Sequence, residues 1–262
     1  MVQIMNSATL KIQRAEKHLA ELKSLFQSTK PFQYMLETNF KTGEKSIFAK
    51  KNEQIVNEAT IIIGDIIHNL RASLDHVYWD CTNAHARSEG ERKNIQFPIT
   101  KNEKALKESI LPGLPKRVSE SFANALDSLK PYRENGNKFL CAIHDLDVID
   151  KHKLLIPTGN YTQISSTMIQ SQVPDFPTGL MSVGFGNCYR DVTWHSKPMS
   201  WAQRRKAKIP RTNIIEQELD VPVQIVLDSL SHSRPADDAL SDLVSVAYDA
   251  KKVLYESIEN TP

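Results

Sequence analysis

Between Thr60 and Tyr78 the chain has no lysine and no glutamate. Those two residues are the usual covering of a water-facing helix, being long, well hydrated and good helix formers. The stretch is nevertheless helical in its periodicity. At about 100° per residue, Ile63, Ile66, Ile67, Leu70, Leu74 and Val77 gather on one side, and Asp65, His68, Asn69, Arg71, Asp75 and His76 on the other. Ile61 and Trp79 close the polar stripe at its two ends. Polar groups that are short, forked or able to titrate near neutrality suit a lined groove better than open solvent. The chain must therefore build a long amphipathic helix and something to face its polar flank.

The chain has 262 residues, 40% of them hydrophobic and 24% charged, ordinary for a globular protein with a sizeable core. A formal net charge of +2 leaves nucleic-acid binding to a local basic patch. No apolar run approaches the roughly 20 residues of a spanning helix. The amphipathic, doubly charged segment from Met1 to Leu25 does not read as a signal peptide. Cys81, Cys141 and Cys188 are odd in number and widely spaced, against a disulfide framework or a cysteine zinc site. The expectations are a cytoplasmic protein with no membrane contact and no cofactor.

Along the chain, residues 5–28 read as a helix that Pro31 stops. Phe32 to Asn39 and Ser46 to Lys50 alternate about Lys41-Thr42-Gly43-Glu44, a hairpin signal. A long helix over about 53–83 carries the polar stripe. A polar loop at 84–94 and an extended Ile95-Gln96-Phe97-Pro98-Ile99 follow. Helical stretches are expected at about 101–110, 115–129 and 136–152, punctuated by Pro112, Pro115 and Pro131. Beyond Pro157, Tyr161 to Ile169, Leu180 to Phe185, Asp191 to His195 and Val221 to Leu227 are β-like. A final helix over about 236–258 has an apolar stripe of Leu240, Leu243, Val244, Ala247, Val253 and Leu254. The fold class is α+β: a helical bundle with an inserted hairpin over 1–155, then 156–262 as a small antiparallel sheet plus a C-terminal helix that packs back on the bundle, the two forming either separate domains or one continuous one.

Two groups of residues carry candidate chemistry. On the stripe, Arg71 can donate two hydrogen bonds to a phosphate, and His76, five residues on, can move a proton at neutral pH. A metal reading competes: Asp65, His68 and Asp75, with His144 from a second helix, are ligand types for iron, manganese or zinc. In a purely architectural reading, Arg71 pairs with Asp75 one turn on, and the histidines bond nearby backbone. The second group runs from His144 to Lys153: His144, Asp147 and Lys151 lie within a narrow arc of one helix, with His152 further round, and Asp150-Lys151-His152 sits at the helix end before Leu155 and Pro157. Cations there gain from the helix dipole; alternatively this end meets the stripe and completes a pocket for phosphate or carboxylate. Trp194 and Trp201 read as sheet core and loop anchor, with base stacking as the alternative. The basic run Gln203-Arg204-Arg205-Lys206-Ala207-Lys208 reads as a mobile loop, with phosphate contact as its alternative. His18, His85, His195 and His232 look incidental, on loops or exposed faces. Gly184-Phe185-Gly186 lacks the residues of a phosphate loop.

The string from His68 to Trp79, then Gln96-Phe97-Pro98-Ile99, then Asp150-Lys151-His152-Lys153-Leu154, resembles an uncharacterised bacterial family with similar blocks in the same order. That resemblance spans most of the chain and brings no established activity. More distantly, Arg71 followed by His76 after four residues resembles the HEPN superfamily of all-helical, usually dimeric domains. Many of those cut RNA without metal in toxin–antitoxin and phage-defence systems. The resemblance implies Arg71 and His76 as a catalytic pair repeated across a two-fold axis. In the reading built on it, His68, Asn69 and Asp75 stand beside that pair, Asp150, Lys151, His152 and His144 line the substrate site, and the chain is a ribonuclease or an RNA-binding protein, a homodimer with an antitoxin partner. Ala72 departs from the polar residue that usually follows the arginine, and the β-rich half has no HEPN counterpart.

Overall fold

The computed structural model describes residues 6–152, 165–177, 192–221, 225–227 and 234–259. Helix α1 (Ser7–Ser28) is followed by strands β1 (Phe32–Asn39) and β2 (Glu44–Lys51) and by helix α2 (Glu53–Thr82). A 3-10 turn (Asn83–His85) and helix α3 (Glu89–Lys93) lead to α4 (Glu103–Ala105), which runs into a π turn (Leu106–Ile110). Helices α5 (Leu114–Val118), α6 (Glu120–Ser128) and α7 (Lys138–His152) follow. Then come α8 (Ser166–Gln172), β3 (Val192–His195), α9 (Trp201–Lys206), β4 (Ile214–Leu219) and α10 (Ala236–Glu259). The class is α+β, as the periodicities imply.

The chain folds as two compact units. The first combines α1 up to Lys23, the chain from Thr60 through α7, and α10. The second combines residues 24–59 with the described parts of 157–236. Helix α10 groups with the bundle on which it was expected to pack, whereas the hairpin, expected with the bundle, groups with the sheet.

In the first unit, Ala8, Ile12, Ala15, Leu19 and Leu22 form the buried stripe of α1, spaced by alternating fours and threes as one face of a helix requires. On α2, Ile63, Ile66, Ile67, Leu70, Leu74 and Val77 are completely buried. Helix α10 returns onto these two, with Leu240, Leu243, Ala247, Ala250 and Leu254 buried. Its flanks are tied by Lys251 Nζ to Thr9 Oγ1 (3.0 Å), Lys23 Nζ to Ser241 Oγ (3.3 Å) and Tyr255 Oη to Asp80 Oδ2 (2.7 Å). Cys81 is core, and burial pushes its thiol up to about 12. His18 is buried on α1 beside Glu21 rather than exposed.

In the second unit the sheet is antiparallel, in the order β3-β2-β1-β4. The hairpin therefore supplies both central strands, with Leu36 opposite Ile47 and Tyr34 opposite Ala49. Gly43 turns the hairpin at φ +79°, and a Cβ there would strike the carbonyl oxygen of Ser196. Trp194 is buried, edge-on to Phe176 at 5.2 Å. Asp175 accepts hydrogen bonds from Lys45, Trp194 and Ser196.

The later half departs from the periodicity in three places. Ser166–Gln172 is helical, not extended: Ser165 caps it by accepting from the Met168 amide. Strand β4 carries Ile-Ile-Glu-Gln-Glu-Leu, without the alternation that marks a strand. The basic run is helix α9 and its C-terminal turn, not a loop, and Trp201 opens that helix 67% exposed. The β-like segments 161–164 and 180–185, Asp191, residues 222–224, Cys188, His232 and the Gly184-Phe185-Gly186 run lie outside the described residues. Among the described residues no helix is long and apolar enough to cross a membrane.

Candidate functional site

The polar flank of α2 meets α7. Asp150 lies against Gly64 so closely that a Cβ on the glycine would sit 2.7 Å from Asp150 Oδ1. Four residues up α2 and three down α7, His68 Nδ1 is 3.2 Å from Asp147 Oδ1. Next along, Arg71 acts on both Asp147 and His144. Positions that rise on α2 fall on α7, so the two helices run antiparallel. The spacing of three and four residues is what keeps one flank of each helix in register with the other. The second group of sequence candidates thus meets the first, through His144, Asp150 and Lys151.

Arg71 is 4% exposed. Its Nη2 bonds the Phe97 carbonyl at 2.9 Å and Asp75 Oδ1 at 2.8 Å. Asp75 Oδ1 in turn accepts from the Phe97 amide at 2.8 Å. The pair therefore holds both polar groups of one buried residue in the extended Gln96-Phe97-Pro98 segment, satisfying backbone that would otherwise be buried unpaired. Burial lowers the pKa of Arg71 and raises that of Asp75; in each case the partner's charge is the main opposing influence. Arg71 Nη1 and His144 Nδ1 are both buried without a partner among the described residues. Burial, then the nearby guanidinium, holds the His144 pKa below its ordinary value.

Asp147 is the hub of this seam, and it stands outside the residues singled out from the sequence as site-forming. It is 4% exposed, and its two oxygens divide between His68 (3.2 Å) and Lys151 Nζ (2.7 Å). The spacing of His144, Asp147 and Lys151 already places it on one face of α7; what the spacing does not carry is that this face meets His68. The His68 side chain is 48% exposed, and no hydrogen bond engages its Nε2 among the described residues. A buried carboxylate that fixes one imidazole nitrogen and leaves the other at the surface is an arrangement for moving protons. Asp150 has its pKa raised by burial first, then by Asp147 and Asp65.

Arg71 and His76 do not converge within one chain. Helix α2 continues to Thr82, so five residues turn the direction by about 140°. His76 shares its flank with Asn69, seven residues earlier. Asn69 bonds the Asp65 carbonyl (2.7 Å) and accepts from Lys11 of α1 (3.4 Å), away from α7. His76 Nδ1 is buried without a partner among the described residues. His152 ends α7, and its side chain lies outside the described structure. Among the described residues no three His, Cys, Asp or Glu side chains are grouped to hold a metal. Asp65, His68, Asp75 and His144 accordingly do not assemble as a ligand set.

Comparisons with protein-family models, with curated proteins and with solved structures each found no match.

Proposed function

We propose that the chain is a HEPN-like, metal-independent ribonuclease whose proton-transferring group is His68. The observation that carries this reading is the Asp147–His68 pair, buried at the carboxylate and open at the imidazole. In the reaction, the imidazole takes the proton of a ribose 2′-hydroxyl. The 2′-oxygen attacks phosphorus, the bond from phosphorus to the 5′-oxygen breaks, and the 5′-oxygen leaves with a proton from water, giving a 2′,3′-cyclic phosphate. Lys151 supplies positive charge beside the imidazole, and Asp147 holds both groups in place. Arg71 and Asp75 act as the frame that seats α2 against the Phe97 segment. His76 is relieved of the catalytic role that the motif alone would give it. The proposed setting is the cytoplasm, in a bacterial defence or toxin–antitoxin system, with the chain a homodimer and an antitoxin its natural partner. Ile61 and Trp79, exposed at the ends of the stripe, support a second copy closing over it.

The test is digestion of total RNA in excess chelator by wild type and by His68→Ala. The expected outcome is cleavage leaving cyclic phosphate ends, reduced about 10²–10⁴-fold in the variant as loss of a general base requires. Equal cleavage by both proteins rejects the assignment.

A second reading has its own support. Arg71 and Asp75 spend their bonds on the Phe97 backbone, as in a non-catalytic interaction module with an architectural polar seam. No cleavage of RNA by the wild type, together with a large loss of stability in Arg71→Ala, is the outcome that favours it.

A further inference from the structure

From Lys197 to Asn213 the chain has six lysines and arginines and no aspartate or glutamate. The segment comprises α9, the turn after it and the approach to β4. Lys197, Arg205, Lys206, Lys208 and Arg211 are exposed, and no ion pair engages them among the described residues. Elsewhere in this unit Lys30 pairs with Glu218, Lys45 with Asp175 and Lys51 with Glu53, and the exposed Lys41 and Lys50 stand apart from any such run of cations. Beside the free cations of the run stands Trp201, 67% exposed. The Arg205 guanidinium sits 5.4 Å from its ring centroid, so two flat cationic and aromatic surfaces lie together at the protein's edge.

The backbone under this patch is tightly set. Ser200 and Gln203 form a reciprocal capping box at the start of α9. At its end, the Ile209 amide bonds the Arg204 carbonyl (3.0 Å) and the Lys208 amide bonds the Arg205 carbonyl (3.1 Å). Arg204 Nη1 closes the turn on Asn213 Oδ1 at 2.8 Å. This terminating motif puts Lys208 at φ +55°, a position where glycine is the unstrained choice. A lysine there keeps a positive charge on the patch at the expense of backbone comfort.

We propose that α9 and its C-terminal turn are a docking surface for single-stranded RNA. A base stacks on Trp201 beside Arg205, and Lys206, Lys208 and Arg211 meet the phosphates. The choice of RNA over single-stranded DNA rests on the ribonuclease reading; the surface itself does not. A groove of positive charge with an exposed aromatic is the chemistry by which single strands are held without sequence preference. An anionic membrane is the poorer fit: a six-residue helix whose apolar side is one tryptophan and one alanine has no face to bury among acyl chains.

The experiment measures binding apart from cleavage. A fluorescent 12-nucleotide 2′-O-methyl oligouridine, which lacks the attacking hydroxyl, is titrated with the full chain in chelator. Wild type, Trp201→Ala and Lys208→Gly are compared, and vesicles containing phosphatidylglycerol serve as the competing ligand. Trp201→Ala should weaken binding about tenfold. Lys208→Gly should weaken it and lower the log–log salt slope by about 0.7, while melting no lower than wild type. Unchanged affinity in both variants, or binding to vesicles without binding to the oligonucleotide, overturns the proposal. If Trp201→Ala weakens binding yet the wild type cleaves no RNA, the docking surface stands and the ribonuclease reading falls. If cleavage depends on His68 and oligonucleotide binding ignores Trp201, the reverse holds.

Discussion

Arg71 shows how a side chain that looks catalytic in sequence can have its bonds taken up by neighbouring backbone and carboxylate. A forked guanidinium beside two histidines is what a phosphate site would use, but here one arm of it, Nη2, is taken by both Asp75 and the Phe97 carbonyl, with 4% of the residue exposed. Arg71→Ala leaves Asp75 half-buried without its cation and Phe97 without a donor. The expected loss is about 3–5 kcal/mol, read from urea unfolding of the two proteins, and Arg71→Lys should restore it only in part because the more strongly hydrated ammonium costs more to bury. A loss below about 1 kcal/mol would contradict the frame role. At this scale the residue types on α2 were legible: His68, Arg71 and Asp75 all lie on the flank that faces α7 and the Phe97 segment. Asp147 was not legible as a hub. Its importance comes from the register in which α7 lies on α2, and one helix's periodicity carries no information about its neighbour's register. Arg71 and His76, five residues apart on a helix that runs on to Thr82, point about 140° apart, and a pairing expected across a two-fold axis is not one that a single chain displays.

Among the elements, α2 and α7 pack through polar groups, not only apolar ones. The approach is close because Gly64 offers no Cβ to Asp150. Burial, and then the other carboxylates of the seam, raise the Asp150 pKa in the fold. A raised carboxylate favours the folded state below its unfolded pKa, and that contribution is lost as pH rises through the folded value. Asp150→Asn removes the charge and keeps the shape. The variant should therefore melt higher than wild type at pH 7, and the gap should close as pH falls toward 4. Melting curves across that range check it; a variant that melts lower at pH 7 contradicts the sign. The long elements α1, α2 and α10 and the hairpin were legible, because each carries a sustained period of its own. Helices α8 and α9 are too short for a period. They are set by Ser165 and Ser200 caps, and β4 is set by pairing with β1. Those causes are local or tertiary, and hydrophobic spacing does not register them.

On the scale of the whole chain, sequence order and compact units diverge. Three separated segments make the helical unit, and the hairpin between α1 and α2 supplies the middle of the sheet in the other. A reading that follows the chain from end to end places the hairpin with its sequence neighbours, since nothing in its alternation names its strand partners. In the helical unit, the proposed chemistry requires the α2–α7 seam to orient His68 through Asp147. The most direct measurement is the rate of RNA cleavage in chelator by the full chain and by Asp147→Asn, with circular dichroism confirming that both are folded. The isosteric amide keeps the packing and loses the charge that orients the imidazole. The expected outcome is a folded variant whose kcat falls about 10²-fold or more. Equal rates in the two folded proteins would contradict it.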